Sequence, residues 1–224
     1  MRTKVLLCAA ALAASLATSM AQSNVYSLNV VGYYNITVGA LQQVMIANQL
    51  NTTNNTLGSL LAPPMVNNND ILYKYSGGFS LSQYSTDDGQ WDPSPAVTLN
   101  PGEAAFFKNE QSAITETLTF VGEVLQGSLT NTLPINIQVM RSSIVPQQGL
   151  VSTTLGLPFD NNDLLYVYNV LQNHGSYTLY QYSTDDGQWD PNEPTINVGQ
   201  GFFYKKAATA LPANANWVRN FTVQ

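Results

Sequence analysis

The eleven residues Gln83–Pro93 (QYSTDDGQWDP) recur without change as Gln181–Pro191. A block this long, identical twice in one chain, commits the fold to building the same local structure in two places. The match continues outward with small gaps. Asn68–Tyr75 (NNDILYKY) parallels Asn161–Tyr168 (NNDLLYVY), and Thr56–Gly58 (TLG) parallels Thr154–Gly156 (TLG). Downstream, Pro101–Lys108 (PGEAAFFK) parallels Val198–Lys205 (VGQGFFYK). Solenoids are built from repeats of roughly 20–50 residues. Two copies of about a hundred residues are instead tandem domains, or two halves of one fold.

Each copy reads as strands. Ile71, Tyr73 and Tyr75 alternate with Leu72 and Lys74, and Phe79, Leu81 and Gln83 alternate with Ser80 and Ser82. Leu118 and Phe120 alternate with Thr117 and Thr119, and Trp217, Phe221 and Val223 fall on one face of the last segment. A period of two in residues rich in Tyr, Thr, Val and Phe is the strand signature. Ser76-Gly77-Gly78 predicts a hairpin turn, and its counterpart Asn169 to Ser176 predicts a longer connection. Asp88-Gly89 and Asp186-Gly187 predict type I′ turns, because both residue types tolerate positive φ. Trp91 and Trp189 then sit on the returning strands, which Pro93 and Pro191 end. One helical turn is predicted per copy, near Thr56–Leu61 and Thr154–Leu157. About six short strands per copy, with turn signals every ~8–12 residues, predict an all-β protein of two tandem similar β-sandwich or small-barrel lobes. The expected division is a signal peptide over 1–21, a first β unit over 22–120 and a second over 121–224.

The signal peptide rests on Arg2 and Lys4, an uncharged run from Val5 to Ala17, and Ser19-Met20-Ala21 as a small-x-small cleavage site. The apolar run is too short for a membrane span. Cys8 is the only cysteine of the 224 residues, so the exported chain lacks disulfides. A chain of this length buries enough surface to fold without such staples. Bacterial export fits a disulfide-free extracytoplasmic protein of this kind, in the periplasm, at the cell surface or outside the cell. Of the eight Lys and Arg, Arg2 and Lys4 leave with the peptide. Six remain against fourteen Asp and Glu, a net charge of −8. That sign disfavours nucleic acid and anionic membrane surfaces as partners.

Ala21-Gln22 and the segment from Val25 to Tyr33 (VYSLNVVGY) resemble the start of a family of exported β-rich proteins of environmental Gram-negative bacteria. Pro101–Glu103 with Phe106-Phe107, and Leu118–Val124 (LTFVGEV), are similar to the same family. The resemblance implies a secreted, internally duplicated β protein. It transfers no site residue.

The identical block has a structural meaning and a functional one. Structurally, Asp-Gly closes a tight hairpin and the tryptophan fills the core of its unit. Functionally, Trp91 with Gln90 and Asp88, and Trp189 with Gln188 and Asp186, would form two recognition loops. An indole face flanked by amides and carboxylates can stack on a sugar ring and bond its hydroxyls. The expected partner is then a polysaccharide or extracellular matrix. Asp87, Asp88 and Asp92, repeated as Asp185, Asp186 and Asp190, offer oxygens for calcium, although Thr86 interrupts the acidic ladder that calcium loops use. No other cofactor is expected.

Catalytic signatures are sparse. His174 is the one histidine, no zinc spacing exists, and no Gly-x-Ser-x-Gly elbow occurs. A glycoside hydrolase needs only two carboxylates across a cleft, and Asp70, Asp92, Glu103 and Asp163 are the candidates. The sequence therefore predicts a secreted, non-enzymatic binding or surface protein. Self-assembly through strand edges and tyrosine faces is the first alternative, and a carboxylate hydrolase the second.

Overall fold

A computed structural model describes residues 29–171 and 174–223. The predicted signal peptide lies outside them. The fold is nearly all β and forms two similar lobes. Among the described residues no helix is long and apolar enough to cross a membrane.

The first lobe begins with β1 (Val31–Val38), which pairs with β7 (Glu116–Glu123) as a two-stranded ribbon, Tyr34 opposite Phe120. Its main sheet contains β2 (Gln43–Ala47), β3 (Ile71–Tyr75), β4 (Phe79–Ser85), β5 (Gln90–Asp92) and β6 (Ala104–Lys108), in the spatial order β2-β6-β3-β4-β5. The second lobe repeats this plan. β8 (Gly127–Thr132) pairs with β16 (Asn216–Phe221), Asn131 opposite Trp217. β9 (Gln138–Arg141), β11 (Leu164–Leu171), β12 (His174–Ser183), β13 (Gln188–Asp190) and β15 (Phe202–Lys205) form a sheet in the order β9-β15-β11-β12-β13. A short pair joins β10 (Gly149–Leu150) to β14 (Thr195–Ile196), and in the first lobe a single bridge joins Thr56 to Thr98. β7 continues beyond Phe120 to Glu123, still paired with Val31, before the chain enters the second lobe.

Three cores hold these layers together, and the strand patterns show why. In β2 and β6 the alternate residues Val44, Ile46, Ala105 and Phe107 point into the first lobe, beneath the ribbon residues Tyr34, Val38, Leu118 and Phe120. The intervening residues Met45, Ala47, Ala104 and Phe106 point the other way and meet Met140 and Phe203 of the second lobe. Strands buried on both faces read as unbroken apolar runs rather than alternating ones. The second lobe is filled by Leu165, Trp189, Phe202, Tyr204 and Trp217.

The lobes are related by a pseudo-two-fold axis, and their contacts are reciprocal, as in a two-fold dimer. Ala47 N donates to Gly199 O at 2.8 Å, and the corresponding Ser142 N donates to Gly102 O at 3.0 Å. Single bridges join Ile46 to Gln200 and Arg141 to Glu103. Gly102 and Gly199 lie at φ +90° and +75°. A Cβ on Gly102 would lie 2.6 Å from Asn131 Nδ2, and one on Gly199 would lie 2.9 Å from the Tyr34 ring. The Pro-Gly-Glu and Val-Gly-Gln motifs are therefore docking points for the opposite lobe, where only glycine supplies both the conformation and the clearance.

Three local expectations are corrected. The Thr86–Gly89 and Thr184–Gly187 connections are four-residue loops in which only Gly89 and Gly187 have positive φ, so neither is a type I′ turn. A helical turn, α1 (Leu57–Leu60), forms in the first lobe, whereas Val151–Leu155 in the second is a turn without helix. Most of Asn169 to Ser176 is strand rather than connection: β11 runs to Leu171 and β12 starts at His174, pairing Asn169 with Ser176 and Leu171 with His174.

Candidate functional site

The two Asp-Gly hairpins place their polar residues outward and their tryptophans inward. Trp91 is 1% exposed and Trp189 5%. Asp87, Asp88, Gln90, Asp92 and their copies Asp185, Asp186, Gln188 and Asp190 are exposed. Gln90 and Asp92 flank Trp91 on an alternating strand, so they face away from the indole. The predicted loop with an exposed indole beside its own Asp and Gln is thus not assembled. Among the described residues no three or more His, Cys, Asp or Glu side chains are gathered into one group. Asp88 Oδ1 instead accepts from Gln90 N at 3.3 Å, closing the turn locally.

The candidate carboxylates are dispersed. Asp70 and Asp163 are fully buried, one in each lobe, Asp92 stands on the edge strand β5, and Glu103 lies between the lobes. Asp70 accepts from Asn67 N at 2.6 Å and Glu110 N at 3.1 Å, tying loops to its sheet. Its partner is a carboxyl that sequence inspection missed, Glu116, which is 4% exposed and accepts from Asn67 Nδ2 at 2.6 Å. Burial, with the neighbouring Asp70 adding to it, pushes the Glu116 carboxyl up to about 8. Folded Glu116 therefore keeps its proton where the unfolded carboxyl, near 4.5, has lost it. Between those values the native state binds more protons, so stability falls as pH rises and levels off above pH 8. Glu116→Gln places a permanent donor where the proton sits. It should flatten this slope in denaturant titrations between pH 5 and 8; an unchanged slope would mean that Glu116 is ionised in the fold.

The second lobe solves the same position with charge. Lys206 is fully buried, and its Nζ lies 2.6 Å from Asp163 Oδ2 and 2.9 Å from Asp160 Oδ2. Tyr204 donates its hydroxyl to Asp163 Oδ2 at 2.5 Å, and Ala207 N donates to Oδ1 at 2.7 Å. Burial opposes ionisation of Asp160, but hydrogen bonds from Lys206, Asn214 and Leu211 hold its carboxyl below the usual range. In the first lobe the places of Lys206 and Asp160 are taken by the neutral Asn109 and Asn67.

The lobes also differ above their tryptophans. After Gly58 the chain runs from Ser59 to Val66 before reaching Asn67, whereas after Gly156 only Leu157-Pro158-Phe159 precede Asp160. The longer segment buries Leu60, Leu61 and Val66, and Leu61 O accepts from Trp91 Nε1 at 2.8 Å. With the shorter segment, Trp189 Nε1 donates to a side chain instead, Ser152 Oγ at 3.1 Å. A cleft of about 480 Å³ lies there. Its apolar wall is Trp189, Phe159 and Tyr182, with the Phe159 and Tyr182 centroids 4.1 Å apart. Its polar rim is Ser152, Thr153, Gln188, Asn192 and Glu193. The Glu193 carboxylate accepts from Ser152 N at 2.6 Å and from Thr153 N and Oγ1 at 2.7 and 2.6 Å. It thereby clamps the Val151–Leu155 turn and fixes the Thr153 hydroxyl, while the Ser152 hydroxyl is held by the Trp189 indole N–H. Gln188 and Trp189 belong to the predicted site, and the shortened segment was its one sequence signal. Ser152, Phe159 and Glu193 were not foreseen, because they join the hairpin from distant parts of the chain.

Compared with protein-family models, curated proteins and solved structures, the chain matches none.

Proposed function

We propose that this is an exported binding protein whose second lobe takes a saccharide in the cleft over Trp189. The observation that carries this reading is the cleft itself, an aromatic wall facing two hydroxyls that Glu193 and Trp189 hold in place, with the amides of Gln188 and Asn192 on the rim. A sugar ring offers an apolar face to stack and hydroxyls to bond, which is the complement of this lining. The lobes are unequal in this respect, so one site per chain is expected rather than the two that the repeated hairpin implies. The likeness of the N-terminal segment to exported β proteins supports an extracytoplasmic setting.

The test is titration of the protein against a panel of soluble oligosaccharides, followed by calorimetry. Saturable binding with one site per chain is expected. Phe159→Ala removes part of the wall and should weaken that binding at least about tenfold, the scale of one lost aromatic contact. Substituting Val66, which precedes Asn67 as Phe159 precedes Asp160, should leave binding intact. Absence of binding across the panel would shift the assignment to self-assembly, for which the outward Val31, Tyr33 and Val121 of the β1–β7 ribbon provide an apolar surface.

A further inference from the structure

The pseudo-two-fold axis generates two equivalent clefts between the lobes, and they have diverged in charge. One, of about 300 Å³, is lined by Val44, Tyr168, Val170 and Gln200. The other, of about 780 Å³, is lined by Lys74, Tyr75, Gln138, Glu103 and Arg141. Matching strand registers pair Lys74 with Val167, Glu103 with Gln200 and Arg141 with Ile46. All three ionic residues line the larger cleft, and the equivalent position in the other lobe is uncharged in each case. Lys74 and Arg141 are two of only six cations beyond the leader in an acid-rich chain. Of the other four, Lys206 is fully buried on its two aspartates and Lys108 is paired with Glu110.

These two cations are held in place but not used up. Lys74 Nζ donates to Thr98 O at 2.5 Å and to Glu103 Oε2 at 3.1 Å. Arg141 donates from Nε to Thr132 O at 2.9 Å and from Nη1 to Met140 O at 3.0 Å, which fixes the guanidinium plane. An ammonium has three protons and a guanidinium three donor nitrogens. Among the described residues, the third Lys74 proton and Arg141 Nη2 meet no protein acceptor. Glu103 Oε2 also accepts from Asn100 N at 2.7 Å, so one carboxylate both orients Lys74 and is itself anchored. Two cations against one anion leave the cleft with a net positive charge inside an acidic protein. A cavity of this size suits a small organic molecule.

We propose that this inter-lobe cleft binds the compact oxyanion of a small organic ligand, a carboxylate or a phosphate ester, between Lys74 and Arg141. Guanidinium and ammonium groups held by the protein bind such oxyanions through charge-assisted hydrogen bonds, and burial of the walls strengthens them. The site is separate from the saccharide cleft and does not depend on it.

Calorimetric titrations with trigalacturonate and with glucose 6-phosphate, beside their neutral parents galactotriose and glucose, decide the matter. At least one charged probe should bind at least about tenfold more tightly than its neutral parent, and binding should weaken as salt is raised. Binding of trigalacturonate alone identifies a carboxylate ligand, of glucose 6-phosphate alone a phosphate ester, and of both the shared oxyanion chemistry. Arg141→Ile and Lys74→Val, which install the residues found at the equivalent positions of the other lobe, should each lower that affinity by about tenfold, one charge-assisted contact. Glu103→Gln should raise it. The proposal is overturned if neither charged probe binds, if binding survives both cation substitutions, or if Phe159→Ala abolishes it, which would place the ligand in the saccharide cleft.

Discussion

Lys206→Met is expected to destabilise the second lobe by about 3–5 kcal/mol, the scale seen when one member of a buried ion pair is removed. The ammonium is fully buried and lies within 3 Å of two carboxylates. Without it, Asp163 keeps the Tyr204 hydroxyl and two backbone N–H donors, but two negative charges remain near one another in the fold. The first lobe shows what relieves this. There Asp70 is held by neutral partners, with Asn109 and Asn67 in the places of Lys206 and Asp160. The double variant Lys206→Asn with Asp160→Asn removes one charge of each sign, and its loss should be smaller than that of Lys206→Met alone. Guanidinium unfolding followed by circular dichroism measures both. A Lys206→Met protein as stable as the parent would mean that the buried ion pair carries no weight in the fold.

Trp91→Ala should cost about 3–5 kcal/mol and Trp189→Ala less, although the two residues sit in identical eleven-residue blocks. The reason is the segment packed above them. Trp91 lies in a closed core with Leu61, Tyr84 and Phe107, and its indole N–H is capped by the Leu61 carbonyl. Removing it leaves a cavity that the surrounding strands cannot close. Trp189 already borders the open cleft, and its N–H partner is a serine hydroxyl that can turn to water. Truncation there enlarges a solvent-accessible space instead of creating a void. Unfolding curves of the two variants, read by far-ultraviolet circular dichroism, should separate in midpoint at equal slope. Coincident midpoints would show that the shorter segment covers Trp189 as completely as α1 and Leu61 cover Trp91.

This asymmetry marks the boundary between what was legible in the chain and what was not. The duplication, the all-β class and the strand alternation came from local pattern, because a period of two and an Asp-Gly or Gly-Gly turn are enforced by the backbone of a few neighbouring residues. Even the unbroken apolar runs of β2 and β6 carry their explanation in the sequence once a second buried face is known to exist. The hairpin tryptophans could be assigned to the returning strand, but their burial could not, since exposure depends on what another segment lays over them. The candidate acids illustrate the same limit. Asp70 and Asp163 occupy equivalent positions in near-identical stretches, yet one is neighboured by the buried carboxyl of Glu116 and the other by Lys206.

By itself the sequence determined two copies of one antiparallel unit, because the main strands and hairpin positions of that unit are marked by residues within a few positions of one another. Only the tertiary structure decided that the copies dock face to face through Phe106 and Phe203, that the second lobe opens a cleft over Trp189, and that Lys74, Glu103 and Arg141 share one side of the axis. Those outcomes depend on contacts between residues tens of positions apart. Packing and electrostatics set such contacts, and no local periodicity encodes them.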